Sequence, residues 1–110
     1  MKLGFLTYFI GEMNAAIDTG KHQDISIEEV ERHIENGDLI PYLKDRLKGD
    51  VDLSLYDAAL SVELNEKLVD ILAAYKGQER RKWGVSNSGL CLLVAWTTEI
   101  IYQKFKDYEV

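Results

Sequence analysis

Proline and cysteine are nearly absent from this chain of 110 residues, which contains one proline, Pro41, and one cysteine, Cys91. A single cysteine excludes a disulfide within the chain and favours a reducing compartment, here the cytoplasm. The scarcity of proline and of alternating β-branched residues favours helices over strands. At this length we expect a single domain, residues 1–110, with one hydrophobic core.

The sequence also lacks an apolar run long enough to cross a membrane. The uncharged stretch 85–98 has 14 residues, whereas a spanning helix needs about 20. Residues 1–16 combine one lysine with a short apolar run, but Glu12 interrupts the pattern of a secretory signal peptide. We therefore interpret residues 88–101, the most apolar stretch, as a buried helix of a cytoplasmic protein.

Motifs of common enzymes and cofactor sites are missing as well. Neither a glycine-rich phosphate loop nor an HExxH or CxxC pattern occurs,. Glu29 and His33 share a helix face and offer two metal ligands, but a surface pair beside the core is the favoured interpretation. Cys91 is interpreted as a buried structural residue, because free cysteine is usually buried. The sequence predicts no catalytic residue, no metal and no cofactor.

Apolar residues at spacings of three and four predict a first helix that ends near Gly20. Gly4 and Gly11 lie inside this segment, and each lowers helix stability by about 1 kcal/mol relative to alanine. Either these glycines allow a close contact between helices, or residues 3–10 form a strand. The expected buried face of the helix consists of Leu3, Leu6, Ile10, Met13 and Ile17.

Two short helices follow, and their ends carry capping signals. Ser26 and Glu29 have the spacing of a capping box, and Gly37 is a suitable end for the second helix. Asp38 is placed to cap the third helix, which should end before Gly49. These local signals predict the second helix more firmly than any other element of the chain.

The remaining helices are longer and more apolar. A fourth helix is predicted from Ser54 to Tyr75, with a break near Ser61 as an alternative. A fifth runs from about 88 to 108, and apolar residues occupy most of its circumference, which is typical of a helix enclosed by others. The predicted fold is an all-α bundle of four to five helices with this C-terminal helix at its centre. The predicted core residues are Leu6, Ile10, Val30, Leu43, Leu68, Leu72, Leu93, Val94 and Ile101.

Charge is distributed unevenly along the chain. Residues 24–70 contain 13 acidic and five basic side chains, a net charge of −8. An acidic surface attracts and selects basic partners. The sequence therefore favours a binding protein, such as an immunity protein or inhibitor, that engages a basic protein partner; a purely solvated surface is the alternative. The candidate residues are Glu28, Glu31, Glu35, Asp38 and Asp45.

A short basic segment offers a different function. Residues 76–82 carry four bases against one acid, and the adjacent tryptophan could stack on a nucleobase. A nucleic-acid-binding regulator is therefore the second hypothesis, although nucleic-acid-binding domains are usually strongly basic, unlike this chain of net charge −6. A helical subunit of a homodimer or larger assembly is the third hypothesis. The residues of the basic segment are Lys76, Arg80, Arg81, Lys82 and Trp83.

Overall fold

The computed structural model of the chain describes residues 1–75 and 88–108. These ranges form five α-helices, and no strand beyond two isolated bridges occurs in them. The all-α fold predicted from the sequence is thereby confirmed. The helices are α1 (Leu3–Thr19), α2 (Ile27–Asn36), α3 (Leu39–Arg46), α4 (Ala58–Tyr75) and α5 (Gly89–Tyr108).

The first segment is helical throughout, so the alternative of a strand over residues 3–10 is wrong. Gly20 ends α1 in the left-handed conformation (φ 69°), and its N–H donates to the carbonyl of Ile17. No atom lies within 4 Å of a Cβ built on Gly4 or Gly11. The expected close contact between helices at these glycines is therefore wrong as well. The buried residues of α1 are Leu6, Phe9, Met13 and Ala16.

Capping determines where α2 begins and ends. The Ser26 hydroxyl accepts the N–H of Glu29 at 3.1 Å, which is the serine half of the predicted capping box. Gly37 ends α2 with φ 80°. Asp38 precedes α3 but makes no side-chain cap, contrary to expectation, because its carboxylate binds the ring of His33 instead.

The fourth helix starts later than predicted. The Asp57 carboxylate accepts the N–H of Leu60 at 2.9 Å, and α4 begins at Ala58 rather than at Ser54. Ser54 belongs to a turn in which both its N–H and its hydroxyl donate to Asp52. The helix continues through Ser61 without a break, so that alternative is also wrong.

The core is one cluster of buried side chains to which all five helices contribute. α5 packs against α1, α2 and α4, which agrees with its predicted central position. Six of the nine predicted core residues are buried, whereas Ile10, Val94 and Ile101 are only half-buried. In α5, Trp96 and Ile100 face the core instead of Val94 and Ile101. In α1, Phe9 faces the core instead of Ile10. The buried residues of α5 are Gly89, Leu90, Leu92, Leu93, Trp96, Thr97 and Ile100.

Glycine is required where α5 meets α2. A Cβ on Gly89 would lie 2.5 Å from the Val30 side chain and 2.7 Å from the carbonyl oxygen of Ser26. The Gly89 N–H donates to the carbonyl of Ile25 at 2.8 Å, so the first turn of α5 is tied to the segment that precedes α2. Despite its apolar start, α5 is no membrane span: none of the helices in the described ranges is long and apolar enough to cross a bilayer.

Candidate interaction surface of α2 and α3

The three candidate acids of α2 lie to one side of its buried face, and the exposed Arg32 lies opposite that face,. Ile27, Val30 and Ile34 point into the core, and the positions that α2 exposes are all polar. Glu28 and Glu35 are exposed, and Glu31, which lies between them, is half-buried. Residues 28, 31 and 35 share one side of a helix because they are three and four positions apart. Each of the three also interacts within the protein, so the row is acidic but not isolated.

Of the two further candidate acids, Asp45 belongs to α3, which packs against α2, and Asp38 immediately precedes α3. Asp38 and Asp45 are exposed and lie seven residues apart, which places them on the same side of that stretch. The His33 ring of α2 donates through Nδ1 to Asp38 at 2.9 Å, which ties the end of α2 to the start of α3. Asp38 therefore lies at the contact between α2 and α3, whereas Glu28, Glu31 and Glu35 lie on the other side of α2 from His33,.

A stack of side chains joins α2 to α3, and no sequence motif predicts it. The rings of His33 and Tyr42 are nearly parallel, at 14°, with centroids 3.8 Å apart. The Arg46 guanidinium lies 5.9 Å from the Tyr42 ring centroid, within the range of a cation–π contact. The one local signal for this stack is that Tyr42 and Arg46 lie four residues apart, on the same side of α3. The contact of Tyr42 with His33 depends instead on how α2 packs on α3.

Arg46 also neutralises part of the acidic segment. Its Nη2 donates to the Asp24 carboxylate at 2.5 Å, and its Nη1 lies 4.0 Å from the carboxylate of Glu29. Burial, followed by a hydrogen bond with Glu29, raises the pKa of Tyr42 to about 12. Asp24 and Glu29 therefore stabilise the position of Arg46, and the candidate acid Asp38 is connected to the same network through His33.

The pair Glu29 and His33 does not form a metal site. His33 binds Asp38 and stacks on Tyr42, while Glu29 has Arg46 and Arg32 as its ionic neighbours. Within residues 1–75 and 88–104, no group of three or more histidine, cysteine and carboxylate side chains could hold a metal ion.

Cys91 is less buried than the sequence suggested. It is half-buried and borders an open cavity of about 450 Å³ together with His22. The His22 Nε2 donates to Asp50 at 2.9 Å, and this hydrogen bond, with one from Lys21, lowers the pKa of Asp50. The prediction that Cys91 is a core residue is wrong, because Cys91 faces the open cavity while its neighbours Leu90 and Leu92 are buried. No hydrogen bond joins the Cys91 sulfur to His22, so the arrangement is not a thiol–imidazole pair.

The basic segment predicted to bind nucleic acid falls outside the described residues. Lys76, Arg80, Arg81, Lys82 and Trp83 all lie between the two described ranges, 1–75 and 88–108. The nucleic-acid hypothesis therefore stays a prediction from sequence.

Comparison with known proteins does not assign the chain to a group. No protein-family model matches it, and no curated protein and no solved structure matches it.

Proposed function

We propose that the protein is a non-enzymatic binding protein that uses the acidic surface of α2 and α3 against a basic protein partner. The observation that carries the proposal is the exposed acidic side of α2, where Glu28 and Glu35 flank Glu31 and no apolar residue is exposed. An acidic row on one helix presents a concentrated negative potential to a partner.

The contact between α2 and α3 is ordered, and it lies on the His33 side of α2 rather than beneath the acidic row,. His33, Tyr42 and Arg46 form a continuous stack between α2 and α3, and Asp38 joins it through His33. Asp38 is therefore ordered before binding, which reduces the conformational entropy that binding loses,. The acids should act mainly on the association rate and on the choice of partner, because exposed charges steer encounter more than they determine affinity.

An immunity protein or inhibitor that neutralises a basic enzyme in the cytoplasm is the specific form of this proposal. Basic enzymes that act on nucleic acids carry surfaces complementary to a dense acidic row. The single cysteine supports a reducing compartment.

The test begins by capturing the partner from the source cells with the tagged protein and purifying it. Association rates are then measured at low and high salt for the wild type and for the Glu28→Lys/Glu35→Lys variant. We expect the variant to associate at least about tenfold more slowly at low salt, with a smaller difference at high salt, because salt screens exposed charges.

The matched control is Asp18→Lys/Glu99→Lys, which changes the net charge equally on α1 and α5. It should slow association much less than the α2 variant. Equal rates for the α2 variant and the wild type at low salt would contradict the proposal, and so would a captured partner that is not basic.

A further inference from the structure

The solvent-facing side of α4 is unusually apolar. Between residues 58 and 74, six of the eight exposed positions carry alanine or valine, and Val62 is 54% exposed and Val69 39% exposed. α2 differs, because it exposes only polar residues. The eight exposed positions of α4 are Ala58, Ala59, Val62, Glu66, Val69, Asp70, Ala73 and Ala74.

Five of these eight positions form a single row along the helix. Ala59, Val62, Glu66, Val69 and Ala73 follow one another at alternating spacings of three and four, which is the spacing of a coiled-coil seam. The core-facing side of α4 is a different set, which includes Leu64, Leu68 and Ile71. α4 therefore has two apolar sides, one packed in the bundle and one exposed, and we call the exposed set the α4 seam.

Two acids interrupt the α4 seam near its middle. Glu66 and Asp70 are exposed, and neither takes part in an ion pair among the described residues. An apolar partner that covered the seam would remove these carboxylates from water without supplying cations to pair with them. The loss of hydration would make the free energy of binding less favourable. The occupant must therefore supply cations as well as apolar side chains.

A second copy of the chain does not meet this requirement. In a two-fold symmetric dimer the same surface of both subunits meets across the axis. Glu66 is the midpoint of the row 58–74, so a dimer that used the whole row would place Glu66 against Glu66 in either helix direction. Like charges brought together at an interface cost several kcal/mol, which disfavours a homodimer through this face.

We infer that the α4 seam is a docking site for an amphipathic helix of a partner protein, with small or branched apolar residues along its seam and lysine or arginine opposite Glu66 and Asp70. The apolar contacts supply the attraction, and the two carboxylates select partners that carry cations at the matching positions. This inference does not depend on the function proposed for α2 and α3, because it concerns a different helix face and a different kind of contact.

The experiment uses a synthetic helical peptide of about three heptads with leucine and alanine along its seam and flanking lysines. A second peptide has glutamate in place of every lysine. Fluorescence anisotropy measures the affinity of each peptide for the full chain. We expect the lysine peptide to bind and the glutamate peptide to bind at least about tenfold more weakly, since like charges oppose association.

Charge exchange makes the test specific for this face. Glu66→Lys/Asp70→Lys should weaken binding of the lysine peptide and strengthen binding of the glutamate peptide, each by about tenfold or more. Val62→Asp should abolish binding of both, while circular dichroism checks that this exposed substitution leaves the fold intact. Asp18→Lys/Glu99→Lys is the control for net charge. With this control, the lysine peptide should still bind more tightly than the glutamate peptide.

Three results would overturn the inference: no binding of the lysine peptide, equal binding of both peptides, or a dimer of the wild type in sedimentation that Val62→Asp dissociates. The variant Glu28→Lys/Glu35→Lys separates this site from the α2 surface. If this α2 variant lowers the affinity for the lysine peptide as strongly as Glu66→Lys/Asp70→Lys does, the peptide binds α2 and the α4 inference is wrong. The outcome for the α2 proposal is independent, because that proposal is tested by the association rate of the natural partner.

Discussion

Gly89 of α5 and Val30 of α2 approach so closely that a Cβ added to Gly89 would lie 2.5 Å from the Val30 Cγ2 atom. The carbonyl oxygen of Ser26, on the other side, would be 2.7 Å away. Backbone cannot move aside as a flexible side chain can, so the contact limits this position to glycine. It also determines how the start of the central helix sits against the helix that carries the acidic row.

Replacing Gly89 by alanine should therefore destabilise the protein. Alanine favours a helix over glycine by about 1 kcal/mol, but overpacking of a tight contact typically costs about 1–3 kcal/mol. We expect a net loss in the free energy of unfolding, measured by urea denaturation. Gly11→Ala is the matched control, because Gly11 lies inside α1 and a Cβ at this position would have no atom within 4 Å. This control substitution should stabilise the protein by about 0.5–1 kcal/mol.

The sequence predicted best the features that depend on neighbouring residues. Ser26 and Gly37 mark the ends of α2 as expected, because capping is a local interaction,. Asp57 begins α4 instead of Ser54, since both residues are suitable caps and only the turn around Asp52 decides between them. Local signals thus identify a helix reliably, but they choose less well between neighbouring starting points.

The sequence predicted least well which side of an apolar helix faces inward. Phe9 is buried in α1 and Ile10 only half-buried, while Trp96 is buried in α5 and Val94 half-buried. When apolar residues surround most of a helix, its periodicity does not select one side, and contacts with other helices decide. The stack of Tyr42 on His33 could not be predicted either, because it joins two helices whose relative position the sequence does not specify.

Arg46 should stabilise the α2–α3 surface more than the other arginine at this surface, Arg32. Arg46 pairs with Asp24 at 2.5 Å and is 29% exposed, whereas Arg32 lies 3.7 Å from Glu29 and is 64% exposed. Arg46→Gln should lower the free energy of unfolding by about 1 kcal/mol, and Arg32→Gln by a few tenths, since exposed pairs contribute little. Equal effects of the two substitutions in urea denaturation would contradict this expectation, because the pair with Asp24 and the contact with Tyr42 would then add nothing to stability.

Asp50 should make stability depend on pH in the acid range. Its hydrogen bonds with His22 and Lys21 lower its pKa below the ordinary value of 3.8. The folded state therefore favours the carboxylate, so its stabilisation is present above pH 3.8 and is lost as the pH falls through the lowered pKa. The difference in unfolding free energy between the wild type and Asp50→Asn should be larger near neutral pH than in strong acid. Asp18→Asn is the control for the loss of one carboxylate, and a difference for Asp50→Asn that does not change with pH would contradict the expectation.

Cys91 should react with a thiol reagent while the protein remains folded. It is half-buried and borders the cavity near His22, so a small aromatic disulfide reagent can reach the sulfur without global unfolding. A thiol of the core would react only through unfolding, and its rate would then rise with urea in proportion to the unfolded fraction. We expect stoichiometric labelling of the native protein at a rate that is nearly independent of urea below the unfolding transition. A rate that follows the unfolded fraction from the lowest urea concentrations would instead place Cys91 in the core, as the sequence alone had suggested.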